Sequence, residues 1–379
     1  MNRNYSLAGP RPDHTPERAD FRNGRMISRL FLVFLAVILL SGTGSAQNAG
    51  GAAEKKESQE QAPPPKNPPG RPPRVEEPEP EIKGRAQISV DVSLVNVDVT
   101  VRDKKGNLIT GLQESNFVLY EDGVRQQVRN FAAVEAPITV VLLIEFSRQV
   151  DWLIRDVLEA AYGFIRTLRK DDWCAIIGYD MRPTIITDFT QNKQELYDGM
   201  RRFNFPAFSE SNLADALYDS LDRVQEMDRR VAVVLLSTGL DTFSKITYQQ
   251  VMDKAKASNA PIYTLSMGQT LRIWLDARGY LSPEQRLDFL QSDNRLRTFA
   301  KLSGGLYFEP RFVTEYPSIF QTISAFLRNQ YSITYVSSNT AKDGKYRKIK
   351  VDASADIDRD GKPDKLTLSY REGYVAPKP

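Results

Sequence analysis

The chain has 379 residues, 41% of them hydrophobic and 26% charged, which is enough to bury one sizeable core and a second, smaller one. Its 51 basic and 48 acidic residues leave a formal net charge of +3, too balanced for a protein that neutralises many nucleic-acid phosphates. His14 and Cys174 are the single histidine and the single cysteine, so an intramolecular disulfide is excluded. Once the N-terminus is removed no imidazole remains, and Ser-His-Asp triads, Cys-His dyads and His-ligated zinc go with it.

The apolar run Leu30 to Leu40 follows Arg25 and Arg29 and precedes SGTGSAQ, whose Gly44 and Ala46 fit a processing site. About eleven apolar residues are too few to cross a bilayer, where roughly twenty are needed. Residues 1–46 are therefore expected to be a secretory signal cleaved after Ala46, with an uncleaved anchor as the competing reading. Cleavage leaves no stable membrane span and places the protein in the periplasm or outside the cell. Initiation at Met26 would give a simpler signal, MISRLFLVFLAVILLSGTGSA. From 47 to 85 the chain is Gly/Ala-rich, then charged, then dense in proline, and no core can form there. It is expected to be an extended linker reaching on the order of 100 Å. A spacer role and recognition of its proline segments by a partner are both open.

Residues 86–134 read as β-structure. Ile88, Val90, Val92 and Leu94 share one phase of a period-two alternation and Val95, Val97, Val99 and Val101 the other, so a bulge or bend is expected between Leu94 and Val95. FVLYEDGVRQQVRNF reads as a hairpin around Glu121, Asp122 and Gly123. At Pro137 the pattern changes. ITVVLLIEF, WCAIIGYD, VAVVLLS and PIYTLSM are apolar runs of the kind found in strands buried on both faces, and segments of helical periodicity separate them. Residues 269–293 read as a polar segment, followed by a short helix, the strand GGLYF and an amphipathic helix over 314–329. QYSITYVS, KYRKIKVDAS and KLTLSYREGY return to β-patterning, and 331–379 reads as the C-terminal strands. The economical arrangement is an α/β module with a doubly wound, mostly parallel sheet over 137–330, inserted in a β-sandwich built from the N- and C-terminal strands. That union leaves fewer exposed edges.

Three segments carry candidate chemistry: IEFSRQV after the first apolar strand, SESNLADALYDSL opening a helix, and LLSTGLDTFS after the VAVVLLS strand. Together they resemble the metal-ion-dependent adhesion site of von Willebrand factor type A domains, a likeness that covers roughly 137–330. The SGGLYF segment and the terminal REGY make the chain similar to a bacterial exported subfamily in which that domain is embedded in a β-sandwich. The resemblance implies a ligand set that this chain departs from. Glu145 stands where the family has its leading Asp, Ser147 keeps the first hydroxyl, and Gln149 replaces the second. Ser211 stands for the family's Thr, and Thr238 replaces the turn Asp, with Asp241 three residues on as a candidate compensator. Mg²⁺ demands near-octahedral oxygen ligands at about 2.0–2.1 Å, so the longer arm of Glu145 and the lost charge at Thr238 disfavour it. Ser147, Ser211 and Thr238 would alternatively cap helices and switch-point loops, or line a remodelled polar site that takes a partner without metal.

A second acidic set, Asp356, Asp358, Asp360 and Asp364, has the D-x-D-x-D-G-x-x-D spacing of the first nine positions of a calcium loop, with Gly361 at the tight turn. Thr367 stands where the usual twelfth-position Glu would, and strands flank the loop, so Ca²⁺ binding and a solvated acidic turn both remain open. Cys174 reads as a small buried hydrophobe. Trp152, Trp173 and Trp274 suggest no stacking array. A carboxylate hydrolase would need a convergent pair about 5–9.5 Å apart, and the sequence identifies none. The expected function is a non-enzymatic protein-binding module of adhesion or scaffold type, the alternative being a structural component of a cell-envelope assembly. Type A domains generally bind proteins, which implies a protein partner; nucleic acid is not expected.

Overall fold

The computed structural model describes residues 94–134, 137–203, 208–225, 227 and 230–378. The proposed signal, the linker, His14 and the alternation from Ile88 to Val92 lie outside the described residues. Of the first apolar phase only Leu94 is described, and it is exposed, whereas Val95, Val97, Val99 and Val101 are buried.

The N-terminal strands are β1 (Leu94–Arg102), β2 (Phe117–Glu121), β3 (Val124–Gln126) and β4 (Val128–Val134). Asp122 and Gly123 between β2 and β3 both have positive φ, 48° and 86°, as a two-residue hairpin turn requires. The chain then enters β5 (Thr139–Glu145), every residue of which is buried. After the helix Asp151–Thr167 come β6 (Trp173–Tyr179) and β7 (Pro183–Thr190), then helices Lys193–Met200 and Leu213–Gln225. The strand β8 (Val231–Ser237), helix Tyr248–Ala257, β9 (Ile262–Ser266), helices Gly268–Asp276 and Pro283–Ser303, β10 (Tyr307–Phe308) and helix Tyr316–Arg328 complete the module. The last strands are β11 (Gln330–Val336), β12 (Tyr346–Ala353), β13 (Thr367–Ser369) and β14 (Gly373–Val375).

Six strands form one sheet in the order β10-β9-β8-β5-β6-β7, parallel except for β7 at the edge. Counted from β5, that is the doubly wound arrangement, whose topological switch point falls between β5 and β8. One face packs on helices Asp151–Thr167 and Tyr316–Arg328, through Leu153, Val157, Phe164, Phe320 and Ile323. The opposite face packs on Leu213–Gln225, Tyr248–Ala257 and Pro283–Ser303, through Leu217, Leu221, Val251, Leu296 and Phe299. Covered on both sides, the central strands have no polar face to alternate with, hence their unbroken apolar runs.

The two other sheets are antiparallel, β13-β1-β11-β4 and β14-β12-β2-β3. They enclose one core in which Val97, Val99 and Ile333 of the first meet Phe117, Leu119 and Val351 of the second. Strands from before and after the α/β module combine in both sheets, alternating in the first and lying as two adjacent pairs in the second, and the module is an insertion in a sandwich. Entry and exit of the insertion are tied by one ion pair. Asp172, its side chain fully buried, accepts from Ile138 N at 2.9 Å and Arg169 N at 2.5 Å and meets Arg328 Nη2 at 2.5 Å.

The sequence reading fails at 269–293, where two helices replace the expected polar segment. In Pro283–Ser303 the buried face includes Ser292, Asp293 and Ser303 as well as Phe289, Leu296 and Phe299, so polar residues on the inner stripe mask the helical period. Its boundaries are nevertheless written locally. Ser282 caps the start in a reciprocal pair with Gln285, Pro283 occupies the first turn, and Gly304 ends it in the left-handed region at φ 82°. Gly305 is needed for a different reason: a Cβ there would lie 2.1 Å from the carbonyl oxygen of Ile262 in β9.

Candidate functional site

All six residues aligned with the adhesion site lie near the carboxyl ends of β5 and β8, at the switch point. The structure brings four of them into a buried group and turns two away.

Glu145 ends β5 and is 0% exposed. Its Oε1 accepts from Ser147 Oγ at 2.8 Å and Thr238 Oγ1 at 3.1 Å. Its Oε2 accepts from Thr238 N at 2.7 Å, Thr238 Oγ1 at 2.9 Å and Ser237 Oγ at 3.2 Å. The extra methylene relative to Asp is what carries the carboxylate across to the β8 turn. Ser237 in turn accepts from Tyr179 Oη and from Gly239 N, both at 2.8 Å. Burial pushes the Glu145 carboxyl above its ordinary range, against the lowering effect of the hydrogen bonds from Thr238, Ser147 and Ser237. Burial, and then the charge on Glu145, holds the Tyr179 hydroxyl well above its ordinary value, so it stays a donor.

Ser211 is fully buried and its Oγ makes no hydrogen bond among the described residues, whereas its backbone N–H donates to Thr242 Oγ1 at 2.8 Å. Gln149 turns outward and donates from Nε2 to Ser209 O at 3.0 Å. Asp241 accepts from Ser244 Oγ at 2.6 Å and from the backbone N–H of Ala214, and burial raises its pKa. It braces the N-terminus of helix Leu213–Gln225. Asp215 and Asn212 reinforce the brace by accepting from Ile246 N and Phe243 N. Ser237 and Tyr179 escaped the sequence reading because neither stands at a family ligand position; Tyr179 ends the strand next to β5, a signal available only once β5 and β6 are neighbours.

An Mg²⁺ ion of the family kind would need inward-facing lone pairs from several oxygens around an open position. Here the carboxylate lone pairs are taken by donors, Gln149 points away, and Thr238 offers hydrogen rather than charge. The lone pairs left over belong to neutral hydroxyls, Ser147 Oγ and Ser211 Oγ among them, which carry no charge for a divalent ion. The donor set does not fit the ion.

Around this buried group the loops expose apolar surface. Phe243 in the turn after β8 is 70% exposed and Phe312, beyond β10, 63%. Phe208 is held beside the β5 loop by Arg148 N donating to its carbonyl. Trp152 and Trp274 stack with centroids 5.2 Å apart and planes at 17°, and the Arg278 guanidinium lies 4.0 Å over Trp274. This corrects the expectation that the tryptophans form no array. The two are 122 positions apart, and the second lies in the unpredicted helix.

Of the C-terminal acidic set, Asp356, Asp358 and Asp364 each offer a carboxylate oxygen within 4.8 Å of the others. Asp360, the fourth expected ligand, instead accepts from Lys362 N at 2.8 Å. Asp356 is occupied by the N–H groups of Asp360 and Gly361, and Asp364 by that of Ile357. Cys174 is buried and its thiol is pushed far up by desolvation, as expected of a hydrophobe rather than a nucleophile. Among the described residues no helix is long and apolar enough to cross a membrane.

The topology and the position of the buried group define a von Willebrand factor A-like α/β module. The chain is similar to the von Willebrand domain of the type V pili tip protein Mfa5 from Porphyromonas gingivalis, at 13% identity and a TM-score of 0.39 over 52% of this chain and 98% of that one. It is also similar to a von Willebrand factor type A protein from Catenulispora acidiphila, at 10% identity and a TM-score of 0.41 over 76% and 75%. Against proximal thread matrix protein 1 of the mussel byssus the values are 9% and 0.40, over 50% of this chain and only 48% of that one. No protein-family model matches the chain, and no curated protein sequence does.

Proposed function

We propose that this is an exported, non-enzymatic protein-binding module of adhesion or scaffold type, and that it binds through the loop face at the carboxyl ends of the parallel strands. The observation that carries the reading is the rim of exposed aromatics, Phe243, Phe312, Phe208 and the Trp152–Trp274 stack, gathered on one end of a rigid sheet. Large apolar side chains grouped around a polar centre mark interaction surfaces, and aromatic anchors dominate their energetics. The loops beneath them are braced by Asp215, Asn212 and Asp241, so little ordering would accompany binding. The signal-like N-terminus supports export, and the proline-rich stretch supports presentation at a distance from an attachment point. A subordinate part of the proposal is Ca²⁺ at Asp356, Asp358 and Asp364, supported by their convergence.

A photo-crosslinking residue placed at Phe243, with Tyr346 on the sandwich as control, tests the reading in envelope preparations of the producing cell. Discrete adducts at 243 alone are the expected result; equal labelling at both positions, or none at 243, would overturn it. Salt-resistant, stoichiometric recovery of one neighbour would point to the structural envelope component.

A further inference from the structure

The buried group at the switch point is complete as it stands. Four hydrogens converge on Glu145, from Ser147 Oγ, Ser237 Oγ, Thr238 N and Thr238 Oγ1, and an ionised carboxylate presents about four lone-pair sites. Their polarity is fixed by the backbone. Gly239 N donates to Ser237 Oγ, as does Tyr179 Oη, which uses both lone pairs of Ser237 and turns its hydrogen to Glu145. Leu240 N donates to Thr238 Oγ1 at 3.3 Å, leaving that hydroxyl's hydrogen for Glu145 as well. The group therefore has the reverse polarity of a metal centre. A cation hub needs lone pairs facing inward, and this hub needs hydrogens.

We infer that Glu145 occupies the structural role of the adhesion-site cation, as a carboxylate hub that ties the end of β5 to the β8 turn without metal, and that Thr238 is its obligate partner. An Asp at 238 would set a second carboxylate against the first inside a fully buried site. Thr at 238 supplies a hydroxyl donor instead, beside the backbone N–H that reaches the same carboxylate. The two departures from the family pattern are thus one coupled change, and the face they support keeps its shape in the absence of divalent ions. This inference does not rest on the protein-binding proposal; either can fail alone.

The test is thermal unfolding of the full chain in EDTA and in millimolar Mn²⁺, with Mn²⁺ titration calorimetry on the same protein, every form carrying Asp358→Ala so that the C-terminal acidic loop takes no ion, and wild type here meaning wild type at 145, 149 and 238. The wild type is expected to shift by less than about 1 °C between the two conditions and to give no binding heat, since an ion bound only by the folded state would raise the midpoint by mass action. Thr238→Val, which keeps the shape and removes one donor, is expected to lower the midpoint equally in both. Glu145→Asp/Gln149→Ser/Thr238→Asp, which restores inward carboxylates, is expected to gain a Mn²⁺-dependent rise of several degrees. A Mn²⁺-dependent rise in the wild type, or a Thr238→Val loss seen only with Mn²⁺, would overturn the inference. The wild-type and Thr238→Val measurements decide it even if the triple variant does not fold.

Discussion

Asp172→Asn should be among the most damaging single changes outside the apolar cores. The carboxylate takes a two-point contact from Arg328, Nη2 at 2.5 Å and Nη1 at 3.2 Å, and two backbone N–H groups at the mouth of the inserted module. Asn keeps one acceptor oxygen, turns an NH₂ toward two donors and leaves the buried guanidinium uncompensated. Removing one partner of such a pair costs about 3–5 kcal/mol. At about 2–4 °C per kcal/mol, the midpoint should fall on the order of 10 °C. Acid weakens the same clamp. Burial raises the Asp172 carboxyl, but the Arg328 guanidinium and the N–H groups of Arg169 and Ile138 outweigh it and hold the group below its ordinary value. A depressed acid stabilises the fold above its unfolded pKa, about 3.9, and loses that contribution as pH falls through the folded value. The wild-type advantage over Asp172→Asn, followed by circular dichroism from pH 7 to pH 3, should therefore be constant at first and shrink below about pH 4. Asp172→Asn/Arg328→Met should recover part of the loss by removing the stranded charge. A single-variant loss under about 1 kcal/mol, or an advantage that grows in acid, would refute the reasoning.

Tyr335→Phe should destabilise the sandwich by about 1.5–3 kcal/mol, because the hydroxyl donates at 2.7 Å to buried Glu121 across the two sheets; denaturant unfolding measures it. Gly305→Ala should abolish soluble expression or lower the midpoint sharply in a thermal shift assay, since the added carbon meets a strand carbonyl that does not move. Millimolar Ca²⁺ should raise the unfolding midpoint and Asp358→Ala should remove that rise; equal midpoints in Ca²⁺ and EDTA for the wild type would leave the acidic loop a solvated turn.

Much of the fold is legible in the chain because its central strands are buried on both faces. VLLIE and VAVVLL carry no polar alternation, and only a sheet covered by helices on both sides houses such runs. The Asp122–Gly123 hairpin is equally local, being dictated by two positions that need positive φ. Helix Pro283–Ser303 is not legible from its interior, because Ser292 and Asp293 on its buried face satisfy partners elsewhere; Asp293 accepts from Ser266 Oγ of β9 at 2.7 Å. The Trp152–Trp274 stack was invisible because its two members stand 122 positions apart, on helices that follow different strands of the sheet.

At the site, the sequence alone determined which positions meet at the switch point, because strand order and turn placement follow from hydrophobic runs and short polar loops. It also determined where the chain departs from the adhesion-site pattern it resembles, with Glu145 and Thr238 standing at two of the Asp positions. Only the tertiary structure decided what those two residues do there. A longer carboxylate reads in one dimension as a poor metal ligand. In three dimensions its length spans the gap to the β8 turn, where Thr238 N, Thr238 Oγ1 and Ser237 Oγ meet it with hydrogens. The direction in which a hydroxyl points is set by the other groups around it, and those come from strands that adjoin only in the folded sheet.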